Sequence, residues 1–206
     1  MKRYLSIIAL ALLAAAPLVA QSTAGWKVRA DKSASASDPD GAGDIKFMAM
    51  GGGFHAVNPT AAVYWNPANT ASGTYTLKGT FTLNEPSDHT NYYGLIFGGH
   101  DLDGAGENYT YFLVAQNGTF LVKKRSGETT ENVVAKTPSD AVKKPDASGK
   151  SVNMLEVRVG ADKIDYVVNG TVVQSTPKAG VTTDGTVGIR VNHHLNVSIN
   201  DFAVAK

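Results

Sequence analysis

Apolar and polar residues alternate with a period of two through most of this chain, and a 3.6-residue rhythm is nearly absent. In "TYTLKGTFTL", Tyr75, Leu77, Phe81 and Leu83 fall on one face, opposite Thr74, Thr76, Lys78, Thr80 and Thr82. Such a segment reads as a half-buried antiparallel strand. "NMLEVRVG" sets Leu155, Val157 and Val159 against Glu156 and Arg158, and "GTVGIRVN" sets Val187, Ile189 and Val191 against Gly188, Arg190 and Asn192. Asn169-Gly170 and Asn117-Gly118 sit where two-residue hairpin turns belong. Gly51 to Gly53 separate "DIKFMAM" from "FHAVN", and "NVSINDFAVA" closes the chain as a strand. "DKSASASDPDGAGD" and "TPSDAVKKPDASGKS" read as loops, the second with room for one helical turn. About a dozen short strands joined by tight turns predict an all-β fold of two packed antiparallel sheets, a sandwich and not a small closed barrel.

The first residues break the pattern. Lys2 and Arg3 precede an apolar run and small residues, the layout of a secretory signal peptide over residues 1–20, with cleavage after Ala20 or Ala24. Residues 25–206 then form a single β-sandwich domain, exported to the periplasm or beyond. The apolar run is too short for a membrane span, so none is expected in the mature chain. Cysteine is absent, so packing alone holds the domain together. The formal net charge is +1 and no basic patch suggests nucleic acid. In "VKKRSG" a strand would turn Lys123 and Arg125 one way and Lys124 the other, as ordinary solvated surface.

The order of "AVYWNPANTASGTYTLKGTFTL", "YYGLIFGG", "YTYFLVAQNGTFLVKKRSG", "NMLEVRVGADKIDYVVNG" and "DGTVGIRVNHHLNVSINDFAV" resembles the concanavalin A-like lectin/glucanase superfamily. Within it the resemblance is to laminin-G-like and 3-keto-disaccharide hydrolase-type domains. It implies a jelly-roll sandwich with one concave face, a face on which members often bind sugars.

"GGHDLDGAGENYTYF" draws attention to chemistry. Counted as an EF-hand from Asp101, the stretch has Asp103 and Gly106 in place, but Ala105 and Phe112 stand where ligands are required. No cofactor is expected, because Asp, Gly and Asn are what a loop between two strands uses anyway; the alternative is a looser calcium cage from Asp101, Asp103, Glu107 or Asn108 with backbone carbonyls. The glucanase run Glu-x-Asp-x-x-Glu is missing, and so is a Gly-x-Ser-x-Gly nucleophile turn. His193 and His194 are adjacent and would point to opposite strand faces, while His55, His89 and His100 are scattered.

Sugar recognition needs aromatic faces and planar polar groups. The candidates are Arg190, Asn192, His193, His100, Asp101, Tyr93, Tyr109, Tyr111 and Trp65. Arg190 and Asn192 have the parity that leaves the core and faces solvent. Tyr109 and Tyr111 share a face with Leu113, and Trp65 with Val63, so a packing role competes for each. The expectation is an exported lectin-like domain whose partner is a glycan or another extracytoplasmic ligand. A glycoside hydrolase of the 3-keto-disaccharide type and a structural envelope module are the alternatives. Replacing His100 or Arg190 by Ala should then weaken binding and leave the thermal midpoint nearly unchanged.

Overall fold

The protein is described by a computed structural model covering residues 22–33 and 35–206; the expected leader lies outside the described residues. Both expected cleavage points precede Trp26, whose ring packs against Phe54 at 4.6 Å and Phe47 at 5.4 Å. The described residues form fourteen strands and no helix. None of them builds a helix long and apolar enough to cross a membrane.

Two antiparallel sheets of seven strands carry the fold. The first runs β1 (Lys27–Asp31), β4 (Ala61–Ala71), β13 (Gly185–Val191), β6 (Tyr92–His100), β7 (Asn108–Ala115), β8 (Thr119–Ser126) and β9 (Thr129–Pro138). The second runs β12 (Thr171–Pro177), β11 (Lys163–Val168), β10 (Ser151–Val159), β5 (Tyr75–Glu85), β14 (Leu195–Ala205), β3 (Gly53–Asn58) and β2 (Lys46–Met50). Successive strands such as β4, β5 and β6 change sheet each time, so the chain repeatedly crosses from one layer to the other.

Strand alternation predicts the core. Leu77, Phe81 and Leu83 of β5, Leu155 and Val157 of β10, and Val187, Ile189 and Val191 of β13 are fully buried between the sheets. Each such side chain contributes about 1.5–3 kcal/mol by leaving water. The first sheet also buries its other face. Val63, Trp65, Tyr92, Ile96, Leu102, Tyr109, Tyr111, Leu113 and Leu121 form a second, smaller cluster there. Burial on both faces explains why "YYGLIFGG" and "YTYFLVA" are continuous apolar runs where the outer strands alternate.

The two expected loops differ in detail from the sequence reading. β1 ends in the first, at Asp31, and β9 runs into the second as far as Pro138. The second loop holds turns and no helix; the amide of Val142 donates to the carbonyl of Ser139 at 3.1 Å. Asn153, fully buried on β10, anchors it. Its Oδ1 accepts from the amide of Lys143 at 2.8 Å and from Asn169 Nδ2 at 2.9 Å, and its Nδ2 donates to the carbonyl of Lys143 at 3.1 Å. Asn169 in turn occupies a left-handed turn, with φ 50°. Truncating Asn153 leaves several buried polar groups without partners. Asn153→Ala should lower the unfolding free energy by roughly 2–4 kcal/mol in urea denaturation, while Val152→Ala, on an exposed position of the same strand, should cost under about 0.5 kcal/mol.

Candidate functional site

Arg190 points away from Val187, Ile189 and Val191, as its parity requires, yet it is only 8% exposed. Its Nη2 donates to Asp31 Oδ2 at 2.6 Å, its Nη1 to the Tyr109 hydroxyl at 2.9 Å, and its Nε to Asn192 Oδ1 at 3.2 Å. Arg125 Nη1 donates to the same Asp31 oxygen at 2.9 Å, and Arg125 Nε to Glu107 Oε1 at 2.7 Å. Glu107, 3% exposed, also pairs with Arg29 at 3.3 Å. Cations and anions therefore alternate across this face from Arg29 to Arg190.

The contact between Asp31 and Arg125 reveals the curvature of the sheet. Four strands, β4, β13, β6 and β7, lie between their strands. On a flat sheet, five spacings of ~4.8 Å would put the two backbones roughly 24 Å apart, more than an aspartate and an arginine can span. The outer face of the first sheet is therefore concave. The same contacts set the charges. Burial on its own would raise the Asp31 carboxyl, but Arg190 and Arg125 outweigh it and hold the group below its ordinary value. Burial works against the Arg190 charge, and the Tyr109 and Asp31 oxygens overcome it and stabilise the cation.

A cavity of about 310 Å³ opens on this concave face. Tyr111, Leu113 and Leu121 supply its apolar surface, and Asp31, Arg190, Asn192, Lys123 and Lys136 its polar walls. Asp38, Asn91 and His193 close one end. The Arg190 guanidinium lies 5.3 Å over the Tyr111 ring, and the Lys136 ammonium 5.4 Å over that of Tyr92. The arrangement presents fixed donors, a planar amide and an aromatic surface to one small volume.

Arg190, Asn192, His193 and Tyr111 thus converge on one cavity, and Tyr109 holds Arg190 from the side through its hydroxyl. The other sequence candidates lie elsewhere. Tyr93 is fully buried between the sheets, with Asn153 Nδ2 at 3.4 Å from its hydroxyl, because it shares parity with Leu95 and Phe97. Trp65, 3% exposed, belongs to the outer-face cluster and does not line the cavity. His100 and Asp101 stand at the opposite end of β6 from Tyr92. His100 Nε2 bonds the carbonyl of Asp184 at 2.9 Å, and Asp101, with φ 49°, accepts from the amide of Gly106 at 3.2 Å. Neither residue lines the cavity.

The carboxylate oxygens of the calcium candidates Asp101, Asp103 and Glu107 do not converge as a group of three among the described residues. Asp103 pairs with Lys27, Glu107 is taken up by Arg29 and Arg125, and Asp101 serves its own turn. Arg190 does not face solvent, and the "VKKRSG" run is not plain solvated surface: Arg125 is partly buried in the ion-pair chain and Lys123 lines the cavity. Asp31, Lys32, Asp38, Asn91, Lys123 and Lys136 are among the cavity residues that sequence reasoning missed. Only Lys123 carried a usable signal, its shared parity with Arg125 and Leu121.

No protein-family model and no curated protein matches the sequence. Solved structures do resemble it. A carbohydrate binding module from Bacillus subtilis is 12% identical, over 88% of this chain and 96% of that one, with a TM-score of 0.59. The Bacillus licheniformis beta-glucanase is 9% identical over 89% and 93%, with a TM-score of 0.54. A Bacillus subtilis protein with a galectin-like fold is 13% identical over 88% and 89%, at 0.53. The fold is the concanavalin A-like jelly roll. At these identities the likeness is one of fold. Within this concanavalin A-like sandwich the cavity lies on the concave face, lined by strands from β1 across to β9.

Burial overturns the expectation that Arg190 can be removed without structural cost. Arg190→Ala would leave the Asp31 carboxylate short of a partner, and stability should fall by ~3–5 kcal/mol in urea denaturation. The Asp31 carboxyl titrates lower in the folded chain than its ordinary 3.8, so its contribution is complete above that value and is lost as pH falls through the lower folded value. Asp31→Asn should therefore lower stability at pH 7 and flatten the decline between pH 4 and pH 2, as followed by denaturant midpoints across that range.

Proposed function

We propose that this chain is an exported carbohydrate-binding protein that holds a glycan in the concave groove. The observation that carries the reading is the composition of the cavity: an apolar patch of Tyr111, Leu113 and Leu121 beneath Arg190, Asn192, Lys123 and Lys136. A pyranose offers a C–H face to the first and adjacent hydroxyls to the second, and convergent polar groups over an apolar surface are what fix a small ligand. Four cationic side chains, Lys32, Lys123, Lys136 and Arg190, line the cavity against two carboxylates, Asp31 and Asp38. The excess of positive charge favours a glycan bearing acidic groups. The carbohydrate binding module of similar fold supports the class of ligand, and the leader-like start of the sequence supports export.

Glycoside hydrolysis is the second reading, favoured by the presence of Asp38, His193 and Arg190 in one cavity. Against it, Asp31 is committed to two guanidiniums and has no proton to donate, which leaves Asp38 as the only other carboxylate in the lining. A pair of working carboxylates is the usual requirement.

The test is a glycan array that includes neutral and uronate-containing oligosaccharides, followed by calorimetry on the best ligand. Asn192→Ala and Lys136→Ala should each weaken binding by about tenfold, near 1.4 kcal/mol. Absence of binding to every glycan would turn the reading toward a structural module, and release of shorter sugars on incubation would establish the hydrolase.

A further inference from the structure

His89, His193 and Asp38 come from three separate segments and place one atom each around a single point. His89 Nε2 and His193 Nε2 are 3.3 Å apart, and Asp38 Oδ1 is 2.8 Å from the first and 3.2 Å from the second. Among the described residues this is the group of three or more metal-capable side chains whose ligand atoms converge. We propose that it binds one divalent d-block ion of the zinc type, with its open position toward the groove.

The distances match that chemistry. A tetrahedral ion with bonds of about 2.0–2.1 Å holds its ligand atoms roughly 3.3 Å apart, so the 3.3 and 3.2 Å edges of this triangle match one face of such a site and the 2.8 Å edge to His89 would open by about half an ångström. The second ring nitrogens supply an independent reason. His89 Nδ1 lies 2.6 Å from Asp88 Oδ1, and His193 Nδ1 lies 3.3 Å from Asp40 Oδ1. Carboxylates only accept, so in the tautomer that a cation between the rings would select, with Asp38 turned to the cation and not to a ring N–H, each Nδ1 carries the proton and donates it. In a neutral ring the lone pair is then on Nε2. Two lone pairs and the Asp38 oxygen face one another, three acceptors around one point, and a cation between them relieves the repulsion. Histidine ligands whose other nitrogen donates to a carboxylate are the usual support of a metal centre.

The neighbouring groups agree. Asn91 Nδ2, 2.9 Å from His89 Nε2, meets that nitrogen as an acceptor. Metal binding would turn this amide aside, toward Ser87 Oγ, which it already approaches at 3.1 Å. The segment bearing Asp38 is tied down: Ser33 Oγ donates to the Asp38 carbonyl at 2.6 Å, and the amide of Gly41 donates to the carbonyl of Pro59 at 2.8 Å. His194 Nε2 lies 3.1 Å from the carbonyl of Pro39 and is thereby kept off the triangle. Two imidazoles and one carboxylate suit zinc, cobalt or nickel; calcium would require more oxygen ligands. Asp38 and His193 line the cavity, so the remaining coordination position, filled by water, faces it. The site stands whether or not the groove accepts a sugar.

The experiment uses the purified chain without a polyhistidine tag, stripped with a chelator, then titrated with zinc by calorimetry and with cobalt(II) by visible absorption. One equivalent should bind saturably, and the cobalt form should show the intense bands of a four- or five-coordinate ion. His89→Ala and His193→Ala should each weaken zinc binding by at least ~100-fold, and Asp40→Asn by about tenfold. His194→Ala, whose ring lies 4.9 Å from that of His193, should stay within about threefold of the parent. Thermal midpoints of the metal-free proteins identify any variant that fails to fold, and Asp38→Asn, at a half-exposed position, then substitutes for it with a loss of at least tenfold. No saturable binding, or binding unchanged in the folded His89→Ala/His193→Ala double variant, would overturn the proposal. Repeating the glycan assay on metal-free protein separates the two readings, because loss of sugar binding there leaves the metal result untouched.

Discussion

Asp31 accepts from Arg190 and Arg125 through one oxygen, and the concave face is arranged around that shared contact. Desolvating a carboxylate and two guanidiniums costs several kcal/mol per ion, and mutual attraction offsets this only when the geometry is good and the remaining donors are satisfied. Here they are satisfied, by Tyr109, Asn192 and Glu107. The net gain in stability over an apolar equivalent is small. What the network provides is position: it fixes where Arg190 stands, and with it the Tyr111 ring below and the Asn192 amide beside it.

That position matters because the first sheet is buried on both sides. Between the sheets lies the main core, and on the outer side lies the cluster around Trp65, Tyr109 and Leu113. A cation buried without a partner on such a surface would be untenable, so the edge strand β1 and the segment ending at Glu107 are drawn in with their carboxylates. The cavity is the part of this face that the second cluster does not fill. Arg190, Tyr111, Leu113, Leu121, Lys123 and Lys136 of its wall are strand residues, while Lys32, Asp38, Asn91, Asn192 and His193 come from connecting segments. Recognition groups on strands hold their geometry better than groups on free loops.

Strand parity placed much of this correctly. The alternation in "GTVGIRVN" put Arg190 off the core, and shared parity put Tyr109 and Tyr111 with Leu113. Parity by itself could not say that the outward side is covered, so Arg190 looked solvent-facing and Arg125 looked ordinary. For Tyr93, parity with Leu95 and Phe97 was a sufficient warning, and its place between the sheets follows from it. The "GGHDLDGAGENYTYF" stretch drew chemical attention through composition. Asp101 and Gly106 are there for the turn, and Glu107 for two arginines. The histidines looked scattered because 104 positions separate His89 from His193.

The amino-acid order alone determined the all-β class, the two-layer packing and the identity of the core, because a period of two is a local property that any strand must obey to bury one face. The tertiary structure decided which face is hollow, which charges are buried and which side chains meet. Asp31 reaches Arg190 across 159 positions, and Asp38 reaches two histidines from different turns. Such contacts depend on sheet curvature and on the path of connecting segments, which arise from the sum of all strand pairings and leave no periodic trace in the residues that make them.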